Sequence, residues 1–355
     1  MIFKKKLNFK QVLFIGIIIG LVILISVYIY NQIEPFAVPT NDERPFVNVY
    51  GVRINNGKEE KEQLPIVLLS HPFTRDSSWK QYLNYKKDGF LILGITSYNE
   101  FPLKTTNEKD PIFNPNAKAW TYDYMNTVDG WLYCFRNPDD YIKPTIPKLL
   151  LSESDFCDTT VYKPNHMPKK YDFIYVCTKS DGCYDWASLN KNWKLGKRCL
   201  KILCDDYNLK GVLIGRKGCD LGIKNKHLIT ATDFVSQSQL IDYYNQSKFI
   251  FVPNQTDASP RVLTEALSCN IPAFLNKNIL GGWKYINKYT GEFFTNESDL
   301  KTSLDRLLKN IEYYKPRNHY INTYTYKHSG KVFKKFIKDH FSDRINVDYY
   351  EYLKL

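Results

Sequence analysis

Short, wholly apolar runs recur along this chain, and they constrain its fold more than any other feature. They are Ile66–Ser70 (IVLLS), Phe90–Ile95 (FLILGI), Trp131–Phe135 (WLYCF), Lys148–Leu151 (KLLL), Phe173–Cys177 (FIYVC), Gly211–Ile214 (VLI after Gly211), Phe249–Val252 (FIFV) and Pro272–Leu275 (PAFL). None alternates apolar with polar residues, so each reads as a strand buried on both faces, as in a parallel sheet covered by helices. Helical stretches separate them: Ser77–Lys87, a segment from about Leu189 to Tyr207, and Ser236–Gln246. Two more follow, Glu297–Tyr313 with Leu300, Leu304, Leu307, Leu308 and Ile311 at helical spacing, and the basic 331–341. Alternation of this kind predicts an α/β protein. A length of 355 residues allows about two domains. The proline-bearing stretch 163–171 (KPNHMPKKY) separates a block at 46–165 from one at 171–315, with 316–355 as a helical tail. Ligands of such sheets bind beyond the carboxyl ends of the strands. That places His71, Glu153 and Asp155 on the functional edge of the first block, although a loop histidine or a Ser-Glu-Ser-Asp turn is often no more than solvated structure.

The richest unit runs from Phe249 to Leu275 (FIFVPNQTDASPRVLTEALSCNIPAFL). A buried strand leads into the polar loop Asn254–Asp257. Ser259 is a suitable N-cap and Pro260 a suitable first helical residue, and Val262, Leu263, Ala266 and Leu267 continue at helical spacing. The first helical turn offers free N–H groups and a positive dipole end, which favour phosphate. Glu265, one to two turns in, can accept hydrogen bonds from the vicinal hydroxyls of a ribose or sugar. Asp257 in the loop supplies a second carboxylate. These residues predict a cradle for a nucleotide-sugar.

Residues 1–10 hold Lys4, Lys5, Lys6 and Lys10, and every position from Val12 to Tyr30 is apolar, Gly, Ser or Tyr. At ~1.5 Å per residue this run nearly spans a bilayer core. With lysines before it and none directly after, 11–30 reads as a single-pass signal anchor. The basic tail 1–10 then lies in the cytosol and the bulk of the chain beyond the membrane, behind a proline-bearing stem at 31–45. The formal charge of +12 raises nucleic acid as a partner, but the lysines are scattered and no recognition motif accompanies them. We therefore expect no nucleic-acid partner. The eight cysteines contain no C-x-x-C pair, and Cys177 and Cys199 sit in apolar runs where Cys acts as a small hydrophobe. Sequons at Asn245, Asn254 and Asn296 fit an extracytoplasmic location but also arise by chance in an Asn-rich chain.

The order of parts over about 171–315 resembles the nucleotide-binding half of group-1 glycosyltransferases. The residues that carry it are FIYVC, the helix from about Asn190, VLIG with Gly215, SQLIDYYNQSKFIFVPN, and Asp257 followed after seven intervening residues by Glu265-Ala266. Ser259-Pro260-Arg261-Val262 is also similar to exostosin-type and fucosyltransferase-type enzymes of the same fold. The resemblance implies a GT-B-like α/β architecture, two Rossmann-type domains facing a cleft, preceded here by one transmembrane helix. It implies a nucleotide-sugar donor, with Glu265 on the ribose and Asp257 on the transferred sugar. Asn254 and Ser259 would also lie within this donor site. Backbone N–H groups around Ala258, Arg261 and Val262 would cradle the diphosphate, and Lys179, Lys191 or Arg261 would neutralise it. No metal and no further cofactor is expected. His71, Glu153 or Asp155 would face the acceptor, a glycan, protein or lipid. Three departures stand out: Asp257 replaces the family's usual Glu, Asn270 replaces its usual Gly, and the cations after the first strand do not keep its spacing. A catalytically silent, membrane-tethered protein that binds a nucleotide-sugar or carbohydrate could use the same cradle.

Overall fold

The structure, a computed structural model, describes residues 45–73, 76–97, 101–102, 123–178, 183 and 186–355. The tail 1–10, the anchor 11–30, nearly all of the stem and Lys179 lie outside the described residues. Among the described residues, no helix is long and apolar enough to cross a membrane.

The chain forms two six-stranded sheets, as the apolar runs predict. The first holds β1 (Phe46–Asn55), β2 (Lys58–Leu69), β3 (Leu91–Ile95), β4 (Gly130–Tyr133) and β5 (Lys148–Leu150). Strands β2 to β5 run parallel, while β1 is antiparallel to β2, and helix α1 (Asp76–Lys87) links β2 to β3. The hairpin between β1 and β2 is absent from the sequence reading. Its turn is Asn56-Gly57, both at positive φ (49° and 78°), the combination that a two-residue hairpin turn needs. The first half of β2 (KEEKEQ) is exposed and charged, so hydrophobicity does not announce it as a strand.

The second sheet is wholly parallel: β6 (Tyr171–Val176), β7 (Gly211–Ile214), β8 (Ile229–Thr232), β9 (Ser247–Val252), β10 (Ala273–Asn276) and β11 (Gly291–Phe294). Alternate residues sort onto its two faces. Phe173, Tyr175, Phe249, Phe251 and Phe274 make one face aromatic; Ile174, Val176, Ile250, Val252 and Leu275 make the other aliphatic. Helices α3 (Trp193–Lys201) and α6 (Glu297–Lys309) cover the aromatic face through Leu200, Leu304 and Leu307. Helices α4 (Gln237–Asn245) and α5 (Arg261–Ser268) cover the aliphatic face through Leu240, Leu263 and Leu267. The single helix predicted over 189–207 is divided. A short α2 (Trp186–Asn190) stops before Asn192, which takes a left-handed conformation (φ 50°) and donates from Nδ2 to Pro253 O at 3.1 Å. That long-range contact breaks the helix where local propensity does not.

The final segment is no detached tail. Helix α7 (Pro316–Thr323) packs on α5, after which α8 (Tyr326–Phe341) and β12 (Tyr352–Lys354) return to the first sheet. There β12 pairs with β1, giving the order β12-β1-β2-β3-β4-β5. Phe333, Phe336, Ile337 and Leu353 join Val49, Leu64, Ile66 and Leu93 in one core. Asn245 is buried, donates to Lys163 O and Ile241 O and accepts from Asn165 N–H, and Asn254 is also buried, so neither sequon is open to glycosylation.

Candidate active site

Strands β6 and β9 lie side by side at the centre of the second sheet. From β6 the chain proceeds outward to β7 and β8; from β9 it proceeds the other way to β10 and β11. Such a switch point opens a crevice at the carboxyl ends of the strands, because the two following loops turn away from each other. A cavity of about 200 Å³ lies there. Val176 and Thr178 line it from β6, Ile214 from β7, Phe234, Val235 and Leu240 from the approach to and body of α4, and Ser259, Arg261, Val262 and Glu265 from α5 and the loop before it; Lys191 closes it. Five residues singled out in the sequence therefore meet in one place: Lys191, Ser259, Arg261, Val262 and Glu265.

Glu265 is buried and accepts a hydrogen bond at Oε2 from Tyr244 OH at 2.8 Å. Burial raises its pKa above the usual carboxylate value, with Tyr244, Arg261, Tyr162 and Lys191 opposing the rise. Asp257 is also buried but does not line the cavity. Its Oδ2 accepts from Lys191 Nζ at 2.6 Å and from Asn254 Nδ2 at 2.8 Å, so Asn254 and Asp257 stand behind Lys191 and hold it. Gly215 ends β7 at φ +87°, where a Cβ would come within 2.6 Å of Thr178 Cα; it lets β7 pass tightly against the loop after β6.

The start of α5 differs from the sequence reading. The cap position is Pro260 and carries no side-chain cap bond. Ser259 instead accepts from Ser154 N–H at 2.9 Å and pairs with Ser154 Oγ at 2.8 Å. Arg261 N–H donates to Ser259 O at 2.8 Å, so that amide is engaged within the chain, while Arg261 itself lines the cavity. Ala258 is packed in the apolar cluster of the first sheet, away from the cavity lining. At the other end of α5, Asn270 has φ 62°; its N–H reaches Leu267 O and that of Ile271 reaches Ala266 O. This is a left-handed Schellman stop, which Asn tolerates as Gly does. The replacement at 270 leaves the geometry intact.

The first block contributes through contacts and not through the cavity lining. His71 follows β2 and meets Ser70 Oγ through Nδ1 at 2.7 Å. Ser70 hydroxyl donates to Pro45 O, so Nδ1 is the donor to Ser70. Glu153 is half-buried and opens the turn whose next residue, Ser154, touches Ser259. Asp155 is fully buried, caps that turn by accepting from Ser152 N–H at 2.7 Å, and pairs with Lys284 at 2.7 Å. Its role is a strut between the sheets, which removes it as a candidate base.

Arg216, Tyr162 and Tyr244 escape the sequence reading. Arg216, directly after Gly215, is fully buried; it donates to Cys177 O (2.7 Å), Thr178 O (3.0 Å), Cys183 O (3.3 Å) and Ser188 Oγ (2.9 Å) and lies over the Trp193 ring. A disulfide joins Cys183 to Cys219 beside it. The signal available in the sequence is an arginine placed right after a strand-ending glycine; its burial is not readable there.

Two parallel-rich α/β sheets with a cavity at the switch point of the second are the arrangement of a GT-B-type fold. Residues 187–328 match the family of glycosyl transferases, group 1. Sucrose-phosphate synthase from Thermosynechococcus elongatus superposes with a TM-score of 0.55 at 11% identity, over 79% of this chain and 74% of that one. A mutant of TarM from S. aureus, in complex with fondaparinux, α-GlcNAc-glycerol and UDP, gives 0.54 at 11% identity, over 73% and 53%. The pneumococcal O-GlcNAc transferase GtfA, in complex with UDP and GlcNAc, gives 0.51 at 14% identity, over 82% and 64%. The chain thus spans less than two thirds of the last two, and at these identities the likeness is one of fold. None of the curated proteins compared matches the sequence.

Proposed function

We propose that this protein transfers a sugar from a nucleotide-sugar donor to a glycan, protein or lipid acceptor, with the donor nucleotide held in the cavity between β6 and α5. The observation that carries this reading is Glu265, a buried carboxylate lining a switch-point cavity inside the group-1 region. Its acceptor oxygens suit a ribose diol. Arg261 and Lys191 line the same cavity and would stabilise the diphosphate leaving group as it gains charge. Val176, Ile214 and Leu240 give a base an apolar wall. The UDP present with TarM and GtfA supports a nucleoside diphosphate as the recognised part. Asp257 would reach the transferred sugar once the diphosphate competes for Lys191. His71 and Glu153 serve the acceptor side, where one of them would act as base if configuration is inverted. Residues 11–30 act as a single-pass anchor with the N-terminus cytosolic. The lysines before the span support this, and so does the Cys183–Cys219 disulfide, a bond suited to an oxidising compartment.

Assay of donor hydrolysis and transfer over a panel of nucleotide-sugars tests the reading. Nucleotide release from at least one donor is expected, and Glu265→Gln should lower that turnover by on the order of 10²-fold. Binding without release from any donor would instead point to a silent sugar-nucleotide receptor.

A further inference from the structure

We propose that Tyr244 is a positioning residue that clamps the Glu265 carboxylate in one orientation for the donor ribose, with Tyr162 supporting it from nearby. The inference rests on the assignment of the cavity as a nucleotide-sugar site and adds what makes its carboxylate effective. A glutamate two turns into a helix has three rotatable bonds, and in a buried pocket it would tend to take up a proton or swing away. Tyr244, on α4 and fully buried, donates to Oε2 at 2.8 Å. Tyr162, whose phenol oxygen accepts from Gln237 Nε2 at 3.0 Å, lies nearby and favours the ionised carboxylate. The backbone beneath Tyr162 is fixed in turn. Arg317 donates from Nη1 to Tyr162 O at 3.0 Å and to Ser268 O at 2.5 Å, at the end of the helix that carries Glu265. It also donates from Nη2 to Thr159 O at 3.1 Å.

A carboxylate offers about four lone-pair sites. The Tyr244 phenol occupies one of them and leaves capacity for a vicinal diol. The charged and titratable groups around Glu265 are Arg261 and Lys191, which favour its ionised form, the two tyrosines, and the thiols of Cys157 and Cys269, whose own ionisation it opposes. Each tyrosine favours the carboxylate over the acid. Removing one therefore lets Glu265 protonate at higher pH.

The test is calorimetric titration of UDP, GDP and ADP into the full chain between pH 5.5 and 8.5, with wild type, Glu265→Gln, Tyr162→Phe and Tyr244→Phe. Loss of one charge-assisted bond should weaken the diphosphate that wild type binds by about tenfold at pH 7. The loss should grow as pH falls, because the acid limb moves upward in both tyrosine variants. A packing defect alone would weaken binding equally at every pH, and that outcome overturns the proposal. So does unchanged binding in both tyrosine variants while Glu265→Gln binds poorly. Failure of wild type to bind any of the three overturns the nucleotide reading itself, and the proposal with it. Phenylalanine keeps both rings, and a thermal melt of each variant confirms that the loss is not one of folding.

Discussion

At the scale of single residues, the same carboxylate that makes the site works against the fold. Glu265 binds its proton more tightly in the folded chain than in the unfolded one, because burial raises its pKa above the usual carboxylate value. Below the unfolded pKa both states are protonated and nothing is lost. As pH rises through the folded pKa, the native state must carry a buried charge, and stability declines. Glu265→Gln removes this penalty. Its melting temperature is expected to match wild type near pH 4.5 and to exceed it progressively toward pH 8, as read by thermal melts across that range. Such a stability gain alongside lost turnover is the usual mark of a strained functional site. The two acids and their spacing were legible in the sequence, since a loop carboxylate and a helical one form a local pattern. Their division of labour was not. Asp257 is held by Lys191, 66 positions earlier, and Glu265 by Tyr244, 21 positions earlier.

At the scale of elements, the wall of the cavity after β6 is pinned from behind by the end of β7. Arg216 ties Cys177, Thr178, Cys183 and Ser188 together, and the disulfide repeats that link between Cys183 and Cys219 across 36 positions. Arg216→Met would leave buried carbonyls without donors and should cost about 3 kcal/mol, measured by denaturant unfolding. Opening the disulfide with dithiothreitol should cost about 3 to 4 kcal/mol by loop entropy, and Cys183→Ser with Cys219→Ser should reproduce that loss and abolish the reductant's effect. Both changes should also raise the donor KM more than they lower kcat, because Thr178 and Lys191 lose their fixed separation. The strands themselves were readable because burial on both faces forces unbroken apolar runs. The β1–β2 hairpin was not, since its outer half is charged and only the Asn-Gly turn marks it.

At the scale of the whole molecule, the two blocks are one connected structure. Lys284 bonds Asp155, Ser154 bonds Ser259, and Trp283 Nε1 donates to Cys134 O at 2.9 Å, so the loop before α5 also reaches the first block. The returning C-terminus is part of the first core. Deleting 326–355 would strip Phe333, Phe336, Ile337 and Leu353 from that core, each worth about 1.5–3 kcal/mol of burial, against a total stability of about 5–15 kcal/mol. The truncated chain is expected to be insoluble or to lose its near-UV dichroism, whereas a chain shortened only to residue 40 at its start should keep both. By itself the sequence determined the α/β class, the parallel strands, the two-block division and the acidic loop-helix unit, because hydrophobic period, capping and turn chemistry are local. Only the tertiary structure decided that 316–355 completes the first sheet, that Asp155 is a strut, that Ser259 joins the blocks instead of capping α5, and that Tyr244 bonds Glu265. Each of these is a pairing between distant positions. Such pairings are fixed by which buried polar groups find partners when the sheets pack, and no local pattern records that.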